Sequence, residues 1–126
     1  MDVFYCLIVG SRNFTNYEYF KKKTDFFLRN HKNITIVSGG ARGADTLAKK
    51  YAQEKQYKYI EFPADWEKDG KAAGFIRNEK MHKFLCNYNF RGCIAFWDGK
   101  SKGTAHNFSL VKKYNTPIRI VRVDNI

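Results

Sequence analysis

The residues best suited to chemistry lie in four short stretches. Ser38-Gly39-Gly40-Ala41-Arg42-Gly43-Ala44-Asp45 places three glycines directly before a helical pattern. Such a junction turns backbone N–H groups toward the positive end of a helix, where an anion is held. The stretch is neither the dinucleotide fingerprint GxGxxG nor a Walker GxxxxGK[ST]. Asp45 also suits the helix dipole as an acid in the first turn. Asp98-Gly99-Lys100-Ser101-Lys102-Gly103-Thr104-Ala105 repeats the arrangement with hydroxyls and two lysines, and Thr104 is placed to cap a helix or contact a phosphate. In Gly10-Ser11-Arg12-Asn13-Phe14, Gly10 admits a close ligand, Ser11 can donate to an oxyanion, and Arg12 offers a planar fork to phosphate or carboxylate. A tight turn with a surface arginine fits the same residues. Arg77 stands four residues from both Ala73 and Met81, so it falls near the buried stripe of its helix. There it can meet an anion, with Asn78 adding a donor and an acceptor, or pair internally with Asp45 or Asp65. Trp66 can stack on a base or close the edge of the core.

These stretches are positioned by a regular alternation of elements. Apolar, β-branched or aromatic runs at 3–9, 34–37, 57–62, 93–97 and 118–123 predict five strands buried on both faces. Between them Tyr17, Phe20, Thr24, Phe27 and Leu28 share one helical face, with Thr15 as N-cap, and Ala44, Leu47, Ala48, Tyr51 and Ala52 share another. A third helix is predicted over 71–85, with Ala73, Ile76, Met81, Phe84 and Leu85 inward. A fourth is predicted over 104–114, with Phe108 and Val111 inward. Strict β-α alternation needs right-handed crossovers, which gives an α/β fold: a Rossmann-like, doubly wound, parallel five-stranded sheet with helices on both faces. The favoured strand order is 3-2-1-4-5, with a flavodoxin-like 2-1-3-4-5 as the alternative. In the favoured order the loops carrying Gly10, Ser11 and Arg12 and carrying Gly99 to Thr104 meet at one crevice.

The 126 residues suit a single domain spanning 1–126. No apolar run approaches the roughly 20 residues that span a bilayer, and no signal peptide is evident, so a cytoplasmic protein without membrane contact is expected. Cys6, Cys86 and Cys93 form neither a CxxC pair nor a zinc spacing, and reduced thiols are expected. His31, His82 and His106 lack partners for a triad or a metal, and neither a metal nor a cofactor is implied. The net charge of +11 suits a polyanion such as nucleic acid, although the lysines are spread along the chain in the manner of a solvated basic surface.

At these loops the chain resembles the SLOG superfamily, named from the Smf/DprA and Lonely Guy proteins, and within it the YspA/YpsA-related branch. The stretches that carry the resemblance are Gly10 to Phe14, Gly39 to Asp45, Pro63-Ala64-Asp65-Trp66, Ala73 to Met81 and Gly99 to Ala105. The resemblance implies a Rossmann-like fold and a nucleotide or nucleotide-derived ligand near Gly39, Gly40, Arg77, Gly103 and Thr104. It also implies self-association, and a bacterial or phage setting of nucleotide signalling or phage–host conflict. Lonely Guy enzymes hydrolyse the N-glycosidic bond of nucleoside monophosphates, and Arg77 is similar to their helix arginine. The glutamate that follows their glycine-threonine pair is missing here, where Gly103-Thr104 runs into Ala105-His106-Asn107. A carboxylate would stabilise the oxocarbenium-like transition state, a charge that neutral His106 cannot supply. For a hydrolase the catalytic candidates are then Asp45, Arg77 and Glu79. Three readings follow: a nucleotide binder, a hydrolase of a nucleotide linkage, and a single-stranded nucleic-acid binder.

Overall fold

The structure, a computed structural model, describes residues 2–124; the ends of the expected 1–126 domain, residue 1 and residues 125–126, lie outside them. Its elements are β1 (Phe4–Gly10), α1 (Tyr17–Leu28), β2 (Ile34–Ser38), α2 (Ala44–Lys55), β3 (Lys58–Glu61), the single-turn α3 (Trp66–Asp69), a 3-10 turn (Gly70–Ala72), α4 (Ala73–Leu85), β4 (Arg91–Trp97), α5 (Lys102–Lys113) and β5 (Ile118–Arg122). The five strands form one parallel sheet in the order β3-β2-β1-β4-β5, as the alternation predicts. The order reverses direction between β1 and β4, where Ile8 lies opposite Ile94.

Side chains alternate across each strand, so β1 feeds two cores. Cys6 and Ile8 point into one with Ile36, Phe96, Phe20, Ala48 and Tyr51, beneath α1 and α2. Leu7 and Val9 point into the other with Val37, Ala95, Met81, Leu85 and Val111, beneath α4 and α5. Burial pushes the Cys6 thiol up to about 12, and the buried Cys93 thiol is raised in the same way.

Four local expectations are corrected. The outer strands β3 and β5 are largely exposed, because each has a neighbour on one side only, whereas β1, β2 and β4 are buried. The cap of α1 is Asn16, whose side chain accepts the Tyr19 N–H at 3.1 Å, and not Thr15. The third predicted helix begins at Ala73, after Gly70–Ala72 has formed a tighter turn. Ile76 faces outward, while Asn78 and His82 take buried positions on α4.

Candidate functional site

The loops after β1, β2, β3 and β4 gather at the C-terminal edge of the sheet, around the point where the strand order reverses. Two adjoining cavities open there, of about 250 Å³ and about 390 Å³. Arg12, Ala41, Trp66 and Arg77 line both, forming a waist between the lobes. Gly10, Asp45, Asn78, Gly103 and Thr104 complete the first lobe; Gly39, Gly40 and Arg42 belong to the second.

The loop after β2 is folded around its own partners. Gly43 adopts φ +77, and a Cβ there would strike the carbonyl oxygens of Ser11 and Arg12, so only glycine lets the β1 loop cross the start of α2. That crossing lets the Ser11 carbonyl accept the Ala44 N–H at 3.3 Å. The Ala41 N–H donates to Asp45 Oδ2 at 3.1 Å, and the Gly40 N–H reaches Ser38 Oγ at 3.5 Å. Several of the loop's donors are therefore engaged by groups of the chain itself, foremost the Asp45 carboxylate. Asp45 is only 7% exposed, and desolvation raises its carboxyl to about 6 against the opposing pull of the Ala41 N–H and the Arg77 charge.

Arg77 reaches this loop from α4. Its Nη1 donates to the Gly39 carbonyl at 2.6 Å and its Nε to Asn78 Oδ1 at 3.0 Å. The guanidinium lies where a Cβ on Gly39 would sit, which accounts for glycine at that position. Among the described residues Arg77 forms no direct ion pair with Asp45 or Asp65; the Asp45 charge acts on it from farther away. Burial lowers the guanidinium's pKa, Asp45 opposes that shift, and the like charge of Arg12 adds to it. Arg12 is exposed and lines the same waist. Two like charges held over one cavity leave a positive field that an anion relieves.

The loop after β4 is organised differently. Asp98 Oδ1 accepts the N–H groups of Ser101 (2.8 Å) and Lys100 (2.9 Å), and these bonds hold its carboxyl below the usual range. The Thr104 hydroxyl pairs with Ser101 Oγ at 3.1 Å. The Gly103 carbonyl accepts from Asn78 Nδ2 (3.3 Å) and Asn107 Nδ2 (3.2 Å), which orients the first turn of α5. Asn107 in turn bonds His82 Nε2 at 2.9 Å. Among the described residues the N–H groups of Gly103 and Thr104 have no internal acceptor, and both residues line the first lobe. The walls add Trp66 and Phe75, 52% and 49% exposed, and Lys71.

Several predicted site residues lie elsewhere. Ser11 is buried and its Oγ accepts the Asp98 N–H at 3.0 Å, stapling the β1 and β4 loops together. Gly99 packs against the Arg122 side chain and lines neither lobe. Asp65 caps α3 through Oδ1 and the Lys68 N–H at 3.1 Å. Glu79 faces α5, bonded to Lys113 and the Tyr114 hydroxyl, so of the two carboxylates offered for hydrolysis only Asp45 lines the cavity. The His106 ring lies tilted against that of Phe75, centroids 4.5 Å apart, and is kept below its ordinary pKa by burial. Sequence reasoning missed Asn107, Phe75 and Lys71; the position of Asn107, three residues past Thr104 on α5, was the available signal. Among the described residues no three metal-ligating side chains converge, and no helix is long and apolar enough to cross a membrane.

A parallel sheet with its crevice at the reversal of strand order defines a Rossmann-like protein. The family model described as YspA, cpYpsA-related SLOG matches residues 5–68. Gene 61 protein of Mycobacterium phage D29 is 36% identical over 95 residues, covering 71% of this chain and 73% of that protein. The chain belongs to the YspA, cpYpsA-related SLOG family. Among solved structures, DNA processing protein A from Helicobacter pylori, described for its single-stranded DNA binding mode, superposes with a TM-score of 0.62 at 20% identity. The match covers 93% of this chain and 64% of that one, so this chain spans less than two thirds of it. The C-terminal domain of a hydrogenase from Pyrococcus furiosus gives a TM-score of 0.56 at 15% identity, over 94% of this chain and 90% of that domain. At these identities the likeness concerns the fold.

Proposed function

We propose that the crevice binds a nucleotide or nucleotide-derived ligand, with its phosphate between Arg12, Arg77 and the open N–H groups of Gly103 and Thr104. The observation that carries this reading is the waist, where two guanidiniums line both lobes and an aromatic face, Trp66, stands beside them. Phosphate needs converging cationic donors, and a base needs a flat apolar surface next to them. The two lobes together leave room for more than one phosphate or for a second sugar. In this reading the protein is a cytoplasmic ligand sensor in nucleotide signalling or phage–host conflict, and Asp45 is the one carboxylate among the described residues that lines the lobes, positioned for chemistry on the ligand.

Thermal-shift screening against nucleoside mono- and diphosphates, NAD, ADP-ribose and cyclic nucleotides tests it. A ligand at 100 times its Kd stabilises the folded state by about 2.7 kcal/mol. Arg12→Ala is the cleaner control, because the Arg12 side chain makes no hydrogen bond or ion pair among the described residues; Arg77→Ala also removes the bond to Gly39. A ligand-induced shift should shrink in both variants, and no shift with any nucleotide would sink the reading.

A second reading, binding of single-stranded nucleic acid, is supported by the net charge of +11 and by the exposed Trp66 and Phe75. The binding mode described for the Helicobacter pylori neighbour points the same way. Oligonucleotide affinity that falls in Trp66→Ala at fixed salt would favour it; affinity that falls with salt alone reports only charge.

A further inference from the structure

We infer that Asp45 reads the sugar of the bound nucleotide and selects a ribonucleotide over its 2′-deoxy counterpart, an inference that rests on the nucleotide reading above. The carboxylate forms part of the wall of the first lobe and is 7% exposed. A buried carboxylate facing a ligand cavity has two demands: it repels phosphate and it accepts hydrogen bonds. Repulsion keeps the phosphate off Asp45 itself and against the cations Arg12 and Arg77 and the first turn of α5. The acceptor demand then falls on whichever part of the ligand adjoins the phosphate.

Asp45 stands close enough to Arg77 for each charge to act on the other. A group that near the phosphate grip faces the sugar, whereas the base edge lies at the far end of a nucleotide. A ribose offers two adjacent hydroxyl donors, which the two oxygens of one carboxylate can accept together, and a 2′-deoxyribose offers one. Dinucleotide-binding sheets use an acid for the same hydroxyls, but place it about 20 residues past their glycine loop. Here the acid sits in the first turn of the helix that the glycine loop opens. Trp66, exposed and lining both lobes, is then available to the base.

The test is titration calorimetry at pH 7.5, where Asp45 is ionised, with the four common ribonucleoside 5′-monophosphates and their 2′-deoxy counterparts. Wild type, Asp45→Asn and Arg77→Ala are compared. A hydrogen bond to a charged group is worth enough to give wild type a ribo-over-deoxy preference of roughly 10- to 100-fold. In Asp45→Asn, which keeps the shape and an acceptor for the Ala41 N–H, that ratio should collapse toward one. Arg77→Ala should weaken both sugars alike and leave the ratio standing. Equal binding of both sugars by wild type, or a preference that survives Asp45→Asn, overturns the inference and leaves the nucleotide reading intact. If wild type binds none of the eight nucleotides, the inference falls, and the nucleotide reading falls with it only if the diphosphates, NAD, ADP-ribose and cyclic nucleotides of the thermal-shift screen fail as well.

Discussion

The loops after β2 and β4 look alike as sequence, each a glycine-rich run opening a helix, and the structure uses them in opposite ways. In the first, the chain supplies its own anion: Asp45 takes the Ala41 N–H and the Ser11 carbonyl takes the Ala44 N–H. In the second, the acid Asp98 holds Lys100 and Ser101, and among the described residues the N–H groups of Gly103 and Thr104, which line the cavity, have no internal acceptor. A glycine loop before a helix therefore announces an amide cluster without saying what fills it. The carboxylate four residues past Ala41 decides that here.

The largest effect that would sharpen this contrast is expected from Gly43→Ala. The new methyl group meets the backbone carbonyls of Ser11 and Arg12 at a positive φ, so strain and clash should cost about 3 kcal/mol or more, read as a lower urea midpoint. Next is Asp45→Asn. The folded state holds the Asp45 proton more tightly than the unfolded chain does, so the cost of ionising it builds up as pH rises from 3.8 to about 6 and is constant above that, and at pH 4 most of it is absent. The asparagine variant should gain up to about 3 kcal/mol at pH 8 and little at pH 4. Denaturation curves at the two pH values check this, and a gain independent of pH would show that burial of the charge is not its source. The smallest effect is expected from Gly103→Ala. Its added methyl enters open space, so it should stabilise α5 by roughly 0.5 to 1 kcal/mol; a loss of stability there would break the contrast between the loops.

The fold was legible because the central strands β1, β2 and β4 announce themselves as apolar runs, and because Ala44, Leu47, Ala48, Tyr51 and Ala52 keep one helical phase. What the runs do not contain is neighbour number: Lys58-Tyr59-Ile60-Glu61 becomes an edge only once the strand order is known. The position of Arg77 near the buried stripe of α4, where it is half-buried, was readable from its spacing to Ala73 and Met81. Glu79, two residues on, lies about 200° around the helix, so the same phase argument separates it from Arg77. Gly39 and Gly40 were read as part of an anion-holding amide cluster, whereas side chains of the protein occupy the space beside them, Arg77 at Gly39 and Glu61 at Gly40. Sequence could not say that the Arg77 side chain fills the space over Gly39, because that contact joins residues 38 positions apart.

The four-residue helix α3 has consequences in time. None of its residues is buried, and it is held by the Asp65 cap and a single turn of backbone bonds. A unit with so little buried surface opens locally without disturbing the sheet, on the nanosecond-to-microsecond scale of loop motion. Trp66 rides on it, so opening of α3 moves one wall of both lobes, while Arg77 stays tied to the Gly39 carbonyl and the first turn of α5 stays held through Asn78 and Asn107. For the ligand proposed above, entry to the waist and residence there would then depend on how often α3 opens.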